Sequence, residues 1–231
     1  MKRRFITLPF LLLTLFILPV AASDRGWTEK KLGKTVIKAD KAARQEDWSQ
    51  AIQHGEQAVK GSRALNNQSF ARYINQLKNL NRYYDKAGRL HDAFPQVKKA
   101  YILSVEHFGP RHETTVVSRT LYYKLLISRK DYLEAIPLVQ ENISLLGKSR
   151  NDHYAHIQFL KQLYSLYKMT GQPEKEEKAL LQYLDLDKRI FDSSEKDNLK
   201  IIMDLAENYC RQNKIADFTK LMKSYGLKYQ C

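Results

Sequence analysis

Two histidines three residues apart, His153 and His156, stand beside Asp152. That spacing puts two imidazoles on one helix face, the arrangement in which a divalent metal could be held. His107 and His112 flank Gly109-Pro110. For all four a structural role is the stronger reading, and no metal site is assigned. Cys210 has no histidine near it in sequence, so a nucleophilic role is not supported. The chain contains neither Gly-x-Gly nor Cys-x-x-Cys, which excludes a glycine-rich phosphate cradle and a paired-thiol redox motif. No catalytic residue and no cofactor is assigned. The remaining candidate chemistry is charge: Lys78, Arg82 and Lys86 are spaced by four, so they share a helix face, at a cost of a few tenths of a kcal/mol per like-charged pair.

That charge belongs to a basic chain. Its 231 residues include 39 Lys+Arg against 25 Asp+Glu, a formal charge of +14 and a pI near 9.6. With 43% hydrophobic residues a core can form, and global disorder is excluded. Nine Gly and six Pro are too few for a loop-rich all-β protein. Two cysteines cannot build a disulfide scaffold or a cysteine metal cluster. Basic residues interleaved with 14 tyrosines could suggest nucleic acid, but Tyr73, Tyr84, Tyr164 and Tyr167 fall on apolar stripes and read as core. No nucleic-acid partner is expected.

The first residues are of a different composition. Lys2, Arg3 and Arg4 precede an apolar run from Phe5 to Leu18, then Pro19 and Val20-Ala21-Ala22-Ser23. This is the pattern of a secretory signal peptide over residues 1–22, with cleavage near Ala22 or Ser23. The rival is an uncleaved anchor, for which the 18 residues from Phe5 to Ala22 are at the short end of the required length. The expected location is therefore periplasmic or secreted, with no integral membrane segment after cleavage and a mature charge of about +11. Export would permit a disulfide. Cys210 falls late in one predicted helix and Cys231 follows a returning antiparallel one. The tail would have to fold back to bring the Cα atoms within about 7 Å, so the expectation is that the two do not pair within the chain. Asn67-Gln68-Ser69 and Asn142-Ile143-Ser144 match the glycosylation pattern, and both are read as chance.

The rest of the chain repeats. Short polar segments have their second residues at Glu46, Gly88, Lys130, Gly171 and Asn213, giving steps of 42, 42, 41 and 42. Phe70, Tyr73, Ile74, Leu77, Leu80, Tyr83 and Tyr84 precede one turn at helical spacing, and Ala93, Phe94, Val97, Ala100, Tyr101 and Val105 follow it. Pro95 and Pro137 lie seven residues after Gly88 and Lys130. A proline damages a helix interior, so the helix is expected to start just before each. A single helix pair cannot bury its apolar face, whereas a stack of pairs can. The expected fold class is all-α, a solenoid of about five antiparallel helix pairs. Its units are roughly residues 27–68, 69–110, 111–152, 153–194 and 195–231, together forming one domain over 23–231.

This pattern resembles tetratricopeptide repeats, specifically the 42-residue type of kinesin light chains. Lys130-Asp131-Tyr132-Leu133-Glu134-Ala135-Ile136-Pro137-Leu138 matches the turn and second helix of that family, and Phe108-Gly109-Pro110-Arg111-His112 matches its connector. Leu146-Gly147 with Asp152-His153 is a looser copy, which makes His153 the connector histidine that hydrogen-bonds loop backbone. The chain departs from the family at Asn81, Tyr123 and Tyr164, and again at Glu176 and Phe218, where small residues are usual. The resemblance implies a right-handed superhelix and a non-enzymatic interaction scaffold. Its register directs Asn75, Lys78, Arg82 and Lys86, then Thr120, Lys124 and Ser128, then Gln158, Lys161, Ser165 and Lys168 into a concave groove. Such a lining would suit a protein or peptide partner, acidic by charge. The alternative is adhesion of the basic face to anionic lipid or cell-wall polymer, an attraction that salt screens.

Overall fold

The structure, a computed structural model, describes residues 26–65, 70–191 and 198–231. The expected leader and the Asn67 pattern lie outside the described residues. Among these, ten α-helices form five antiparallel pairs: α1 Glu29–Arg44 with α2 Trp48–Ala64, α3 Phe70–Lys86 with α4 Phe94–Phe108, α5 Glu113–Arg129 with α6 Tyr132–Ser144, α7 Arg150–Met169 with α8 Pro173–Phe191, and α9 Leu199–Arg211 with α10 Ile215–Ser224. A 3-10 turn, Leu90–Ala93, precedes α4.

The repeat in the sequence is a repeat in backbone conformation. Glu46, Gly88, Lys130, Gly171 and Asn213 all have positive φ, between 57° and 70°. Each closes its first helix the same way. The next residue's N–H returns to the carbonyl five positions back, as from Asp47 to Ala42, Arg89 to Tyr84, Asp131 to Leu126, Gln172 to Tyr167 and Lys214 to Tyr209. This is a Schellman closure, and it reverses the chain so that the second helix lies against the first.

Packing then follows the apolar stripes. Ile74, Leu125, Leu180 and Leu205 have no exposed surface, and full burial contributes about 1.5–3 kcal/mol for each such side chain. One core cluster runs without a break from Leu90 to Met222. A second joins Ala39, Ala51 and Ile52 of the first pair to Leu80 and Tyr83 of α3. Each pair is therefore completed by its neighbour. At the small-residue position, five residues after each turn residue, Ala51, Ala93, Ala135, Glu176 and Phe218 are all buried.

Two expectations are corrected. Pro95 does sit at the start of α4, but Pro137 lies inside α6, which begins five residues earlier at Tyr132. A proline there removes the N–H that would bond the carbonyl of Leu133, and Leu133 is 69% exposed, on the face where water can replace the missing donor. The second correction concerns the cysteines. Cys210 and Cys231 form a disulfide with Cα atoms 5.4 Å apart. The tail folds back because Gly226 takes φ +61° and the Leu227 N–H bonds the Met222 carbonyl at 3.0 Å. Leu227 packs on the core and the Tyr229 ring lies 6.3 Å from that of Phe218, which carries Cys231 to the last turn of α9.

Candidate partner-binding groove

First helices touch one another through side chains, α1 with α3, α3 with α5 and α7 with α9, and several of these contacts share one separation. Asn75 accepts a hydrogen bond from the Thr114 hydroxyl at 2.8 Å. The Lys124 ammonium lies 2.5 Å from the Asp85 carboxylate, and that of Lys168 lies 2.7 Å from Glu207 and 4.0 Å from Asp204. The Asn75–Thr114, Asp85–Lys124 and Lys168–Glu207 separations are each 39 residues, one 42-residue step less three. Asp85 and Lys168, three positions before their turns, thus face Lys124 and Glu207, six before the next.

Along this ladder the charges are unequal. The rung from α3 to α5 is Asp85 against Lys124, and the rung from α7 to α9 is Lys168 against Glu207. From α5 to α7 the corresponding positions are Ile127 and Ser165, both uncharged. From α1 to α3 they are Ala43 and Arg82, so this cation faces no carboxylate from its rung. Arg82 and Lys86 are exposed, and with Arg44 they rim a cleft of about 440 Å³ between α1 and α3. Trp48, Tyr83 and Asn79 also line it, and Asp40 is the one carboxylate, its Oδ1 accepting from the Tyr83 hydroxyl at 2.9 Å. One repeat further on, the cleft lined by Asp85, His91, Lys124 and Ser128 holds about 170 Å³, and its cation is already paired.

The other residues of the predicted lining are placed as follows. Lys78 is half-buried; desolvation lowers its pKa, Glu113 works against that shift and the neighbouring Arg82 adds to it. The Thr120 and Ser128 hydroxyls donate to carbonyls of their own helix. Gln158 is half-buried and Ser165 exposed on α7. Lys161 is turned to its own hairpin, with Nζ 5.3 Å from the centre of the Tyr183 ring on α8. The structure thus brings Arg82 and Lys86 together with Arg44, which the sequence reading passed over, and distributes the other cations among internal partners.

The histidines have local roles. His112 caps α5, its Nδ1 accepting from the Thr114 N–H at 3.1 Å. At the equivalent entry to α7 the cap is Ser149 with Asp152 in a reciprocal capping box, so the connector role expected of His153 falls to these two residues. His156 is half-buried, and burial, helped by His153, lowers its pKa. Among the described residues no cluster of three or more His, Cys, Asp or Glu side chains could hold a metal. None of the described helices is long and apolar enough to cross a membrane.

No protein-family sequence profile matches the chain, and no curated protein sequence matches it. Solved structures do. A Podosopora anserina protein with nearly identical kinesin light chain TPR-like repeats superposes with a TM-score of 0.56 at 16% identity, over 84% of this chain and 93% of that one. MamA protein gives 0.54 at 16% identity, over 86% and 91%, and MamA of Desulfovibrio magneticus RS-1 gives 0.51 at 14% identity, over 87% and 95%. The fold is a TPR-like solenoid.

Two buried polar groups of this TPR-like solenoid were not visible as such in sequence. Arg119 on α5 is 2% exposed. It holds Glu141 of α6 through Nε at 3.0 Å and Nη2 at 2.8 Å, donates to Asn142 Oδ1 at 2.9 Å, and reaches the Pro110 carbonyl at 2.7 Å. Asn142 is thereby engaged inside the hairpin. Glu176, buried at the small-residue position of α8, accepts from Arg211 of α9 at 2.6 Å through Oε1, while its Oε2 has no hydrogen-bond partner. Neither group lines the cleft between α1 and α3; both join neighbouring helices.

Proposed function

We propose that the chain is an exported, non-enzymatic binding scaffold whose groove captures an acidic segment of a partner protein at its N-terminal end. The observation that carries this reading is the cleft between α1 and α3, where Arg44, Arg82 and Lys86 face a single carboxylate. Trp48 and Tyr83 in the same cleft offer apolar surface for the segment's side chains. Helices on both sides hold the site before any ligand arrives, so little ordering entropy is lost on binding. Electrostatic complementarity would set the choice of partner and the speed of encounter. Export is supported by the composition of residues 1–22, and the Cys210–Cys231 bond fits an oxidising compartment.

The test is fluorescence anisotropy with a labelled hexaglutamate peptide at fixed ionic strength. The reading predicts saturable binding that weakens on the order of tenfold or more in Arg82→Glu/Lys86→Glu, with helicity unchanged. Equal affinity in that variant would refute it.

A further inference from the structure

Among the described residues, the first helix pair carries a second charged surface. In α3, α5, α7 and α9 the residues 12, 8 and 5 positions before the turn share one helix face, which meets the preceding hairpin at Leu80 and Tyr83 beside Gly55, at Tyr122 against Tyr101 and at Asn208 on the Pro173 carbonyl. The last two of these are Leu80 and Tyr83, Tyr122 and Leu125, Leu163 and Leu166, and Leu205 and Asn208, and all eight are buried. In α1 the corresponding residues are Lys34, Lys38 and Lys41, all exposed. Lys30 extends the same stripe by one turn. The two acids of α1 are directed elsewhere: Glu29 pairs with Arg72 of α3 and Asp40 accepts from Tyr83. The outward stripe is therefore purely cationic, and Ile37 beside it is 67% exposed.

A terminal repeat needs a polar outer face, but that need does not select lysine four times. Lysines at i and i+4 repel each other, and uncharged polar residues would cap the stack without that cost. Four cations in line over 12 residues, Lys30 to Lys41, span about 16 Å of helix, a geometry suited to a flat anionic surface rather than to a threaded chain. The apolar run of residues 5–18 ends ten residues before α1 begins, so synthesis delivers this helix next to a bilayer. A lysine stripe is a poor seat for that apolar run itself.

We infer that the outer face of α1 is a docking surface for an anionic phospholipid bilayer, with the lysines on the headgroups and Ile37 entering the interface. This surface is separate from the groove, and either could exist without the other.

Co-sedimentation of the purified mature chain, residues 23–231, with vesicles of phosphatidylcholine containing 30% phosphatidylglycerol, at low salt, tests it. Binding is expected to these vesicles and not to pure phosphatidylcholine. Lys34→Gln/Lys38→Gln/Lys41→Gln should bind roughly 100-fold more weakly, since each basic residue near such a surface is worth about 1 kcal/mol. Arg82→Glu/Lys86→Glu should bind as the wild type does. The glutamine variant should keep its helical circular dichroism, because the three side chains are exposed. Equal sedimentation with neutral vesicles, equal binding by the glutamine variant, loss of binding in the groove variant instead, or capture of soluble polyglutamate without capture of anionic vesicles would each overturn the inference.

Discussion

Lys124 on α5 is held 2.5 Å from the carboxylate of Asp85 on α3. The candidate groove is therefore not a uniform strip of positive charge. Lysines at its middle and far end are spent on neighbouring helices, and the uncommitted cations gather where α1 meets α3. An exposed ion pair is worth about 0.2–1 kcal/mol, so a ligand drawing Lys124 away from Asp85 must give back that amount.

The first prediction follows. Arg82→Gln should weaken hexaglutamate binding by about fivefold, from ~1 kcal/mol for one unshielded charge. Lys124→Gln should change it by less than about twofold, since its charge is already matched. Isothermal titration at one salt concentration distinguishes the two.

The turns make a prediction about stability. Lys130 and Glu46 hold φ of 62° and 57°, a region that costs non-glycine residues roughly 1–2 kcal/mol. Lys130→Gly and Glu46→Gly should each stabilise by about 0.5–1 kcal/mol, and Gly88→Ala and Gly171→Ala should destabilise by about 1 kcal/mol. Urea melts followed at 222 nm would report all four.

These turns also show why so much of the fold was legible. A period of 42 can be counted without knowing any contact, and the counted position proved to be the left-handed residue of every hairpin. The rungs of the groove were not legible. Whether Asp85 meets Lys124 depends on how far one first helix slides along the next, which only the stacked structure fixes. Arg119 was hidden because an isolated arginine in an apolar helix looks exposed until Glu141, Asn142 and Pro110 are seen around it. The disulfide did leave a signal, Gly226 followed by Leu227, the usual sequence of a helix stop with an apolar contact. It was outweighed by the expectation that a tail continues along its helix.

The disulfide closes a loop with a sequence separation of 21 residues, for which chain-entropy arguments give about 3 kcal/mol. Thermal melts with and without a thiol reductant should show a lower midpoint for the reduced protein. Cys231→Ser should melt at the reduced value in both conditions.

Glu176 and Arg211 should respond unequally to substitution. Glu176 is fully buried and Arg211 is 36% exposed at its side chain, so an orphaned arginine can turn to water and an orphaned carboxylate cannot. Arg211→Met is expected to cost about 3 kcal/mol, and the double variant Arg211→Met/Glu176→Gln should recover most of it. A double-mutant cycle in urea measures the coupling.

His156 gives a pH dependence. Burial lowers its folded pKa below the ordinary 6.5, so the unfolded chain binds the proton first as pH falls. The stability it supports is complete above about pH 6.5 and is lost as pH drops through the folded value. The melting midpoint should decline between pH 7 and pH 5.5, and His156→Gln should flatten that decline.

The most direct test of the account is an NMR titration of the isotope-labelled protein with hexaglutamate. The predicted result is that amide shifts concentrate at Arg44, Asn79, Arg82 and Lys86, where α1 and α3 end. Shifts spread over the outer faces of the second helices, with none in that cleft, would contradict it.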